Sequence, residues 1–300
     1  MGKLILQNVG LVLEGGGMRG AYTAGVLDAF MDEKIKTSYV IGVSAGANNG
    51  ADFMSEQRDR NKKVFVDVVK DPRHSGIWNL LREGSYFGMD FIFNTVANEL
   101  IPFDYDTFYN SPTTFKVCTT NCKTGEAVYF SHRDFEPKYF AQKILRASCS
   151  LPMISSPVEI GEHTYLDGGL VDPIPIKKSI QDGNSYNIVI LTRNKGYKKK
   201  PSKFNFITKI FLHKYPEIVK VLKNRYKKYN DCMDEINKLE KEGSVYVFRP
   251  QKELSVNRLE KDIKKLNDLY EQGYHEAIHQ MDDFKNWLDS VQKRGTLQQT

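Results

Sequence analysis

Two apolar runs, Val9 to Leu13 and Tyr39 to Val43, each end abruptly in glycines and small residues, and a stretch with helical spacing from Ala21 to about Lys34 separates them. The pattern predicts a strand, a crossover helix and a second strand. A further helix opens at Ala45 and continues with polar interruptions towards Val69. That β-α-β-α order belongs to a parallel sheet. Residues 71–110 are irregular and rich in aromatics, including Trp78, Phe87, Phe91, Phe93 and Phe108, and read as a loop-and-helix cover. Phe115–Thr120 with Ala127–Phe130, and Val158–Ile160 with Thr164–Leu166, read as hairpins. A helix is expected over Pro137–Arg146 and a short one over Ile174–Asp182, ended by Gly183, with a buried strand at Asn187–Leu191. Two long helices follow, separated by a strand-like Val245–Phe248. The predicted fold is a three-layer α/β/α arrangement with a mostly parallel central sheet. We divide it into a core at 1–194, a basic helical insertion at 195–243 and a segment at 244–300 that completes the core.

The chain has 300 residues, 40% hydrophobic and 27% charged, enough for one large α/β domain, and a net charge of +6 that tolerates acidic partners without choosing among them. Cys118, Cys122, Cys149 and Cys232 form neither a disulfide framework nor a C-x-x-C pair. With no signal-peptide pattern at the start and no run of about 18 apolar residues, the expectation is a reduced, cytoplasmic protein, peripheral to membrane at most. The charge is concentrated at 195–228, where eleven lysines and Arg225 face the single acid Glu217. Phe204, Phe206, Ile207, Ile210, Phe211, Leu212 and Tyr215 interleave with these bases, as in helices that lie on anionic membranes. A solvated basic face is the alternative, and no nucleic-acid module pattern is present.

Chemistry concentrates in the two glycine-framed turns. Gly42-Val43-Ser44-Ala45-Gly46 has the G-x-S-x-G form of a nucleophile elbow, in which a strand breaks sharply into a helix and exposes a serine hydroxyl. Gly42 and Gly46 leave room that a Cβ would fill. Gly15-Gly16-Gly17-Met18-Arg19-Gly20 is a loop of bare backbone amides. If the two strands are neighbours, both turns emerge at one sheet edge, about 4.8 Å apart. The spacing Gly15, Gly17, Gly20 also fits a dinucleotide-binding loop, yet the acidic residue such a site needs on the second strand is replaced by Gly42-Val43-Ser44. The better fit is an oxyanion hole built from the amides of Gly15 to Met18.

A nucleophilic serine needs a base. His74 and His132 fall in polar loops, His163 in a hairpin turn, and His213, His275 and His279 in late helical segments, so none stands out. Asp167 follows Tyr165-Leu166 and precedes Gly168-Gly169, a placement that carries a carboxylate to a sheet edge and equally suits a glycine turn. Asp172, before Pro173, is the competing carboxylate and reads as a helix cap.

The glycine loop, the elbow and Asp167-Gly168-Gly169 together, in this order, resemble the three motifs of the patatin-like phospholipases. Ala147-Ser148-Cys149-Ser150-Leu151-Pro152 is similar to that family's A-S-x-x-x-P segment, and the likeness extends over roughly residues 9–193. The resemblance implies a lipid acyl hydrolase with a Ser–Asp dyad and no catalytic histidine. Ser44 would be the nucleophile and Asp167 its base, with Gly15 to Gly17 and Arg19 on the oxyanion side. A metal or organic cofactor is not implied, and the implied partner is a lipid ester. The sequence departs from the pattern at Val43, where Thr is frequent, and at Asp172-Pro173, where Asn-Pro is commoner. A protein of the same fold that binds lipid without turning it over is the competing class.

Overall fold

The computed structural model describes residues 5–201 and 213–297. Its strands are β1 (Ile5–Leu13), β2 (Lys36–Val43), β3 (Thr114–Asn121), β4 (Ala127–Ser131), β5 (Val158–Ile160), β6 (His163–Asp167), β7 (Tyr186–Ile190) and β8 (Val245–Phe248). They form one sheet in the order β5-β6-β3-β2-β1-β7-β8, with β4 paired to β3. From β3 to β8 the pairing is parallel. The β3–β4, β3–β6 and β5–β6 pairs are antiparallel.

The apolar runs are continuous because both faces of the central strands are covered, and successive side chains point to opposite faces. Leu11, Leu13, Val40, Ile188, Ile190 and Phe248 enter one core cluster, with residues of the helices Gly20–Asp32, Ala45–Met54, Ile263–His279 and Met281–Leu297. Val12, Ile41, Val189 and Val247 enter a second cluster with Tyr229, Met233 and Ile236 of the helix Pro216–Lys241. Two layers of helices therefore sandwich the sheet. The helix Ile263–His279 is tied to Gly20–Asp32 by polar contacts as well, since Tyr22 donates to Glu276 at 2.8 Å and Tyr270 to Asp28 at 2.7 Å.

Three local expectations change. The helix after the elbow stops at Met54 rather than running towards Val69, and short helical turns follow it. Asp59, at φ 65°, reverses the backbone there, and a buried ion pair between Arg60 and Asp52 fixes the reversal. The helix expected from Ile174 begins at Ile176, behind two prolines. Asp172 does not cap it, because its carboxylate accepts the Tyr129 hydroxyl at 2.6 Å. Past β8 the helical pattern resolves into two helices that meet at Gln280. No helix among the described residues is long and apolar enough to cross a membrane.

Candidate active site

Ser44 occupies the single residue between β2 and the helix Ala45–Met54, at φ 55° and ψ −127°. This is a strained conformation for a residue with a Cβ, with a cost of order 1–3 kcal/mol, and it persists only where the surroundings enforce it. Here they do: a Cβ on Gly46 would lie 2.5 Å from the Leu13 carbonyl, so the turn closes tightly against β1. The Ser44 amide donates to Ser148 Oγ at 2.8 Å, and that hydroxyl in turn donates to the Cys118 carbonyl at 2.7 Å. At the start of the following helix, Ser44 also sits where backbone dipoles favour developing negative charge.

Asp167 ends β6, which β3 holds antiparallel with Thr119 opposite Asp167. Its amide donates to the Ser150 carbonyl at 2.8 Å and its Oδ1 accepts the Gly169 amide at 2.7 Å. The carboxylate is buried and lines the same cleft as Ser44. Burial pushes its pKa up, while the Arg225 charge and the Ser44 and Gly169 hydrogen bonds pull the other way. The sheet thus brings Ser44 and Asp167 together. The segment 147–151 contacts both, and the Cys149 thiol, which accepts from Asn48 Nδ2 at 3.4 Å, is pushed well above its usual range by burial.

The glycine loop follows β1 and faces the same point, with Gly42 pairing across to Leu13. Two of its amides are engaged in the framework. Gly15 donates to the Pro173 carbonyl at 3.3 Å and Met18 to the Arg258 carbonyl at 3.2 Å. Gly16 and Gly17 have no backbone acceptor among the described residues, which narrows the candidate oxyanion donors from four amides to two. Gly17, at φ 58°, lies so close to Arg258 that an added Cβ would sit 2.7 Å from its carbonyl oxygen. Arg19 is buried, and its guanidinium lines the cleft.

Two cavities meet at Ser44. One, of about 630 Å³, is walled mainly by apolar side chains: Met18, Val64, Phe65, Phe87, Met89, Ile92, Phe93 and Leu151, with Cys149 and His74. The other, of about 420 Å³, is polar and lined by Glu14, Arg19, Asp167, Arg193, Tyr197, Lys199, Arg225, Tyr229 and Arg258. Gly17, Ser44, Leu151 and Arg258 belong to both.

The histidines need correction. His74 and His132 are buried rather than set in polar loops. His74 stands in the wall of the apolar cavity, its Nδ1 3.1 Å from Ser75 Oγ, and burial lowers its pKa to about 4. His132 lies under β3, its Nδ1 accepting the Phe115 amide at 3.2 Å. Among the described residues neither has a hydrogen bond to Ser44 or Asp167.

Sequence reasoning missed most of the polar cleft. Lys199 and Arg225 were counted with a basic surface, yet both turn inward, and Arg225 donates to the Gly169 carbonyl at 2.6 Å. Arg193, Tyr229 and Arg258 carried no motif signal. Glu14 stands beside the glycine loop and accepts the Tyr229 hydroxyl at 2.9 Å. The interleaved residues Phe204, Phe206, Ile207, Ile210, Phe211 and Leu212 lie outside the described residues, whereas Lys214, Lys220, Lys223 and Lys227 are exposed.

Comparison with known proteins places this site. YjjU of Escherichia coli K12 is 31% identical over 195 residues, covering 61% of this chain and 52% of that protein. The protein named "Probable lipid hydrolase 463L" of invertebrate iridescent virus 6 is 26% identical over 197 residues, 59% of this chain and 65% of that one. Lysophospholipase NTE1 of Saccharomyces cerevisiae is 27% identical over 172 residues, 57% of this chain and 10% of that much longer one. The chain therefore spans about half of YjjU and only a fraction of NTE1. The solved structure of VipD from Legionella pneumophila covers 94% of this chain and 66% of its own at a TM-score of 0.46 and 15% identity. Residues 215–289 match a domain of unknown function, DUF6363. Residues 11–179, which contain the glycine loop, Ser44 and Asp167, match the profile described as patatin-like phospholipase, and the chain belongs to that family.

Proposed function

We propose that the chain is a serine acyl-ester hydrolase acting on lipids, of phospholipase A or lysophospholipase type, through a dyad of Ser44 and Asp167. The observation that carries this reading is the placement of Ser44 beside the buried carboxylate of Asp167, where an apolar cavity and a polar cleft meet. Relatives named lipid hydrolase and lysophospholipase are consistent with it.

Asp167 accepts the hydroxyl proton as Ser44 Oγ attacks the ester carbonyl. A carboxylate near its ordinary pKa of about 4 is a poor base for an alcohol, and burial raises its basicity. The charge that develops on the acyl oxygen meets the amides of Gly16 and Gly17, with Arg19 in the same loop. The leaving alcohol takes the proton back from Asp167 and leaves an acyl-serine. Water, deprotonated by Asp167 in its turn, then releases the fatty acid. The acyl chain lies against Val64, Phe65, Met89 and Phe93.

A fluorophosphonate probe should label Ser44, and Ser44→Ala and Asp167→Asn should each lower turnover by ~10⁴-fold or more without changing the melting temperature. The double variant should be scarcely worse than either single. Substantial turnover in Asp167→Asn would remove it as the base. An unlabelled wild-type protein that binds lipid but hydrolyses none of a panel would favour the lipid-binding alternative.

A further inference from the structure

The polar cleft holds more positive charge than its carboxylates neutralise. Arg19, Arg193, Lys199, Arg225 and Arg258 line it against Glu14 and Asp167, so basic groups outnumber acidic ones five to two. None of the five is within ion-pair distance of a carboxylate among the described residues. Arg193 lies over the Tyr197 ring at 4.4 Å and Lys199 over the Tyr229 ring at 4.3 Å, contacts that orient a cation and leave its charge in place. Arg225 donates its Nε to a neutral carbonyl, that of Gly169. Arg19 is 3% exposed and its Nε has no hydrogen-bond partner. Glu14, whose two oxygens accept the Tyr229 hydroxyl and the Thr192 amide, acts on the cations only through space.

Such an arrangement carries an electrostatic penalty. Burial, with the repulsion of Arg225 and Arg258, lowers Lys199 to about 7, and burial lowers Arg19 and Arg225 to about 10. A ligand that relieves it must bring concentrated negative charge and several acceptor oxygens, because guanidinium forks pair with phosphate or carboxylate through parallel hydrogen bonds. Five basic groups against two carboxylates suit a phosphate better than a single carboxylate, and a bound dianion would draw Lys199 back to its charged form.

Position narrows the source. The cleft and the apolar cavity share Ser44 and Leu151, so an ester carbonyl at Ser44 with its acyl chain in the apolar cavity directs its alcohol part into the cations. We propose that the cleft of Arg193, Lys199, Arg225 and Arg258, with Arg19, binds a phosphate carried on the alcohol side of the lipid ester, so that the enzyme selects phosphate-bearing over neutral glycerolipids. This rests on the hydrolase reading above. Four of the five cations lie outside residues 11–179, so the selectivity comes from the part of the chain that the patatin match does not cover.

The test uses the full chain with Ser44→Ala, which binds without turnover, and three probes: dihexanoyl phosphatidic acid, dihexanoylglycerol and inorganic phosphate. We expect the phosphatidic acid to bind at least about tenfold more tightly than the diacylglycerol, the scale of one charge-assisted hydrogen bond, and Arg193→Gln or Lys199→Gln to reduce that ratio. In the protein with Ser44 intact, the ratio of kcat/KM for the same two esters should follow. Equal binding of the two lipids overturns the proposal. So does inorganic phosphate binding as tightly as the phosphatidic acid, which would make the cleft a site for free phosphate. If Ser44→Ala discriminates while the intact protein hydrolyses neither ester, the hydrolase reading fails and the phosphate site stands. If both esters are bound and hydrolysed alike, the phosphate site fails and the hydrolase reading stands.

Discussion

The two cavities that meet at Ser44 are opposite in chemistry and in origin. The apolar one is walled mainly by residues 64–93 and 149–151, within the stretch that matches the family profile. The cationic one takes Arg193, Lys199, Arg225, Tyr229 and Arg258 from beyond it. An apolar wall needs only hydrophobic side chains of adequate bulk, and many sequences supply one. A cluster of like charges is costly to assemble and is retained where something compensates it. Under the proposed function, the difference separates the holding of an acyl chain near a strained serine, within the family match, from what this chain adds at the leaving-group side.

The largest effect below loss of the dyad is expected at the hinge between the cavities. Gly16→Ala places a Cβ 2.9 Å from Thr192, displacing an amide that no framework bond uses, and turnover should fall by ~10²-fold on every ester, whatever its acyl chain or head group. An effect confined to phosphate-bearing substrates would assign Gly16 to the cationic side alone. Next comes Val64→Trp, which fills part of the apolar cavity. The kcat/KM for long-chain esters should fall by roughly tenfold while butyryl esters change little, since each methylene excluded from an apolar site forfeits about 0.8 kcal/mol. Equal losses for short and long chains would show that the acyl group lies elsewhere.

The smallest effect, and the sharpest for the comparison, concerns pH. As the proposed base Asp167 must be ionised, and burial holds its pKa above the usual carboxylate value, so kcat/KM should rise with pH along an acid limb displaced upward from about 4. Arg258 opposes that displacement, and Arg258→Gln should therefore move the limb to still higher pH. Val64→Trp should leave it where it is. An Arg258→Gln profile superposed on the wild type would mean that the cationic cleft does not tune the base.

The positions of Ser44 and Asp167 and the central strands were legible because their signals are local: a strand, a glycine and a serine within five residues, or an aspartate before two glycines. The alternation that distributes Leu11 and Val12 to opposite helical layers is likewise written residue by residue. The cationic cleft was not legible, because Arg193, Lys199, Arg225 and Arg258 come together only when β7, the helix Pro216–Lys241 and the loop after β8 converge. Composition showed a basic segment and could not show which of its bases turn inward. Asp172 and His74 misled for a related reason. A carboxylate before a proline and a histidine among polar neighbours have common local roles, but Tyr129 and the apolar cavity wall claim them across the fold.

The backbone of 147–151 gives the two reacting groups a shared fulcrum. The Ser148 hydroxyl holds the Ser44 amide and the Ser150 carbonyl holds the Asp167 amide, two residues apart along the same segment. When that segment shifts, both groups are carried the same way, and the gap between Ser44 and Asp167 changes less than the position of either. Drift in the surrounding helices reaches the chemistry as a common translation, so this geometry tolerates sequence change that would separate a serine and an aspartate mounted on independent supports.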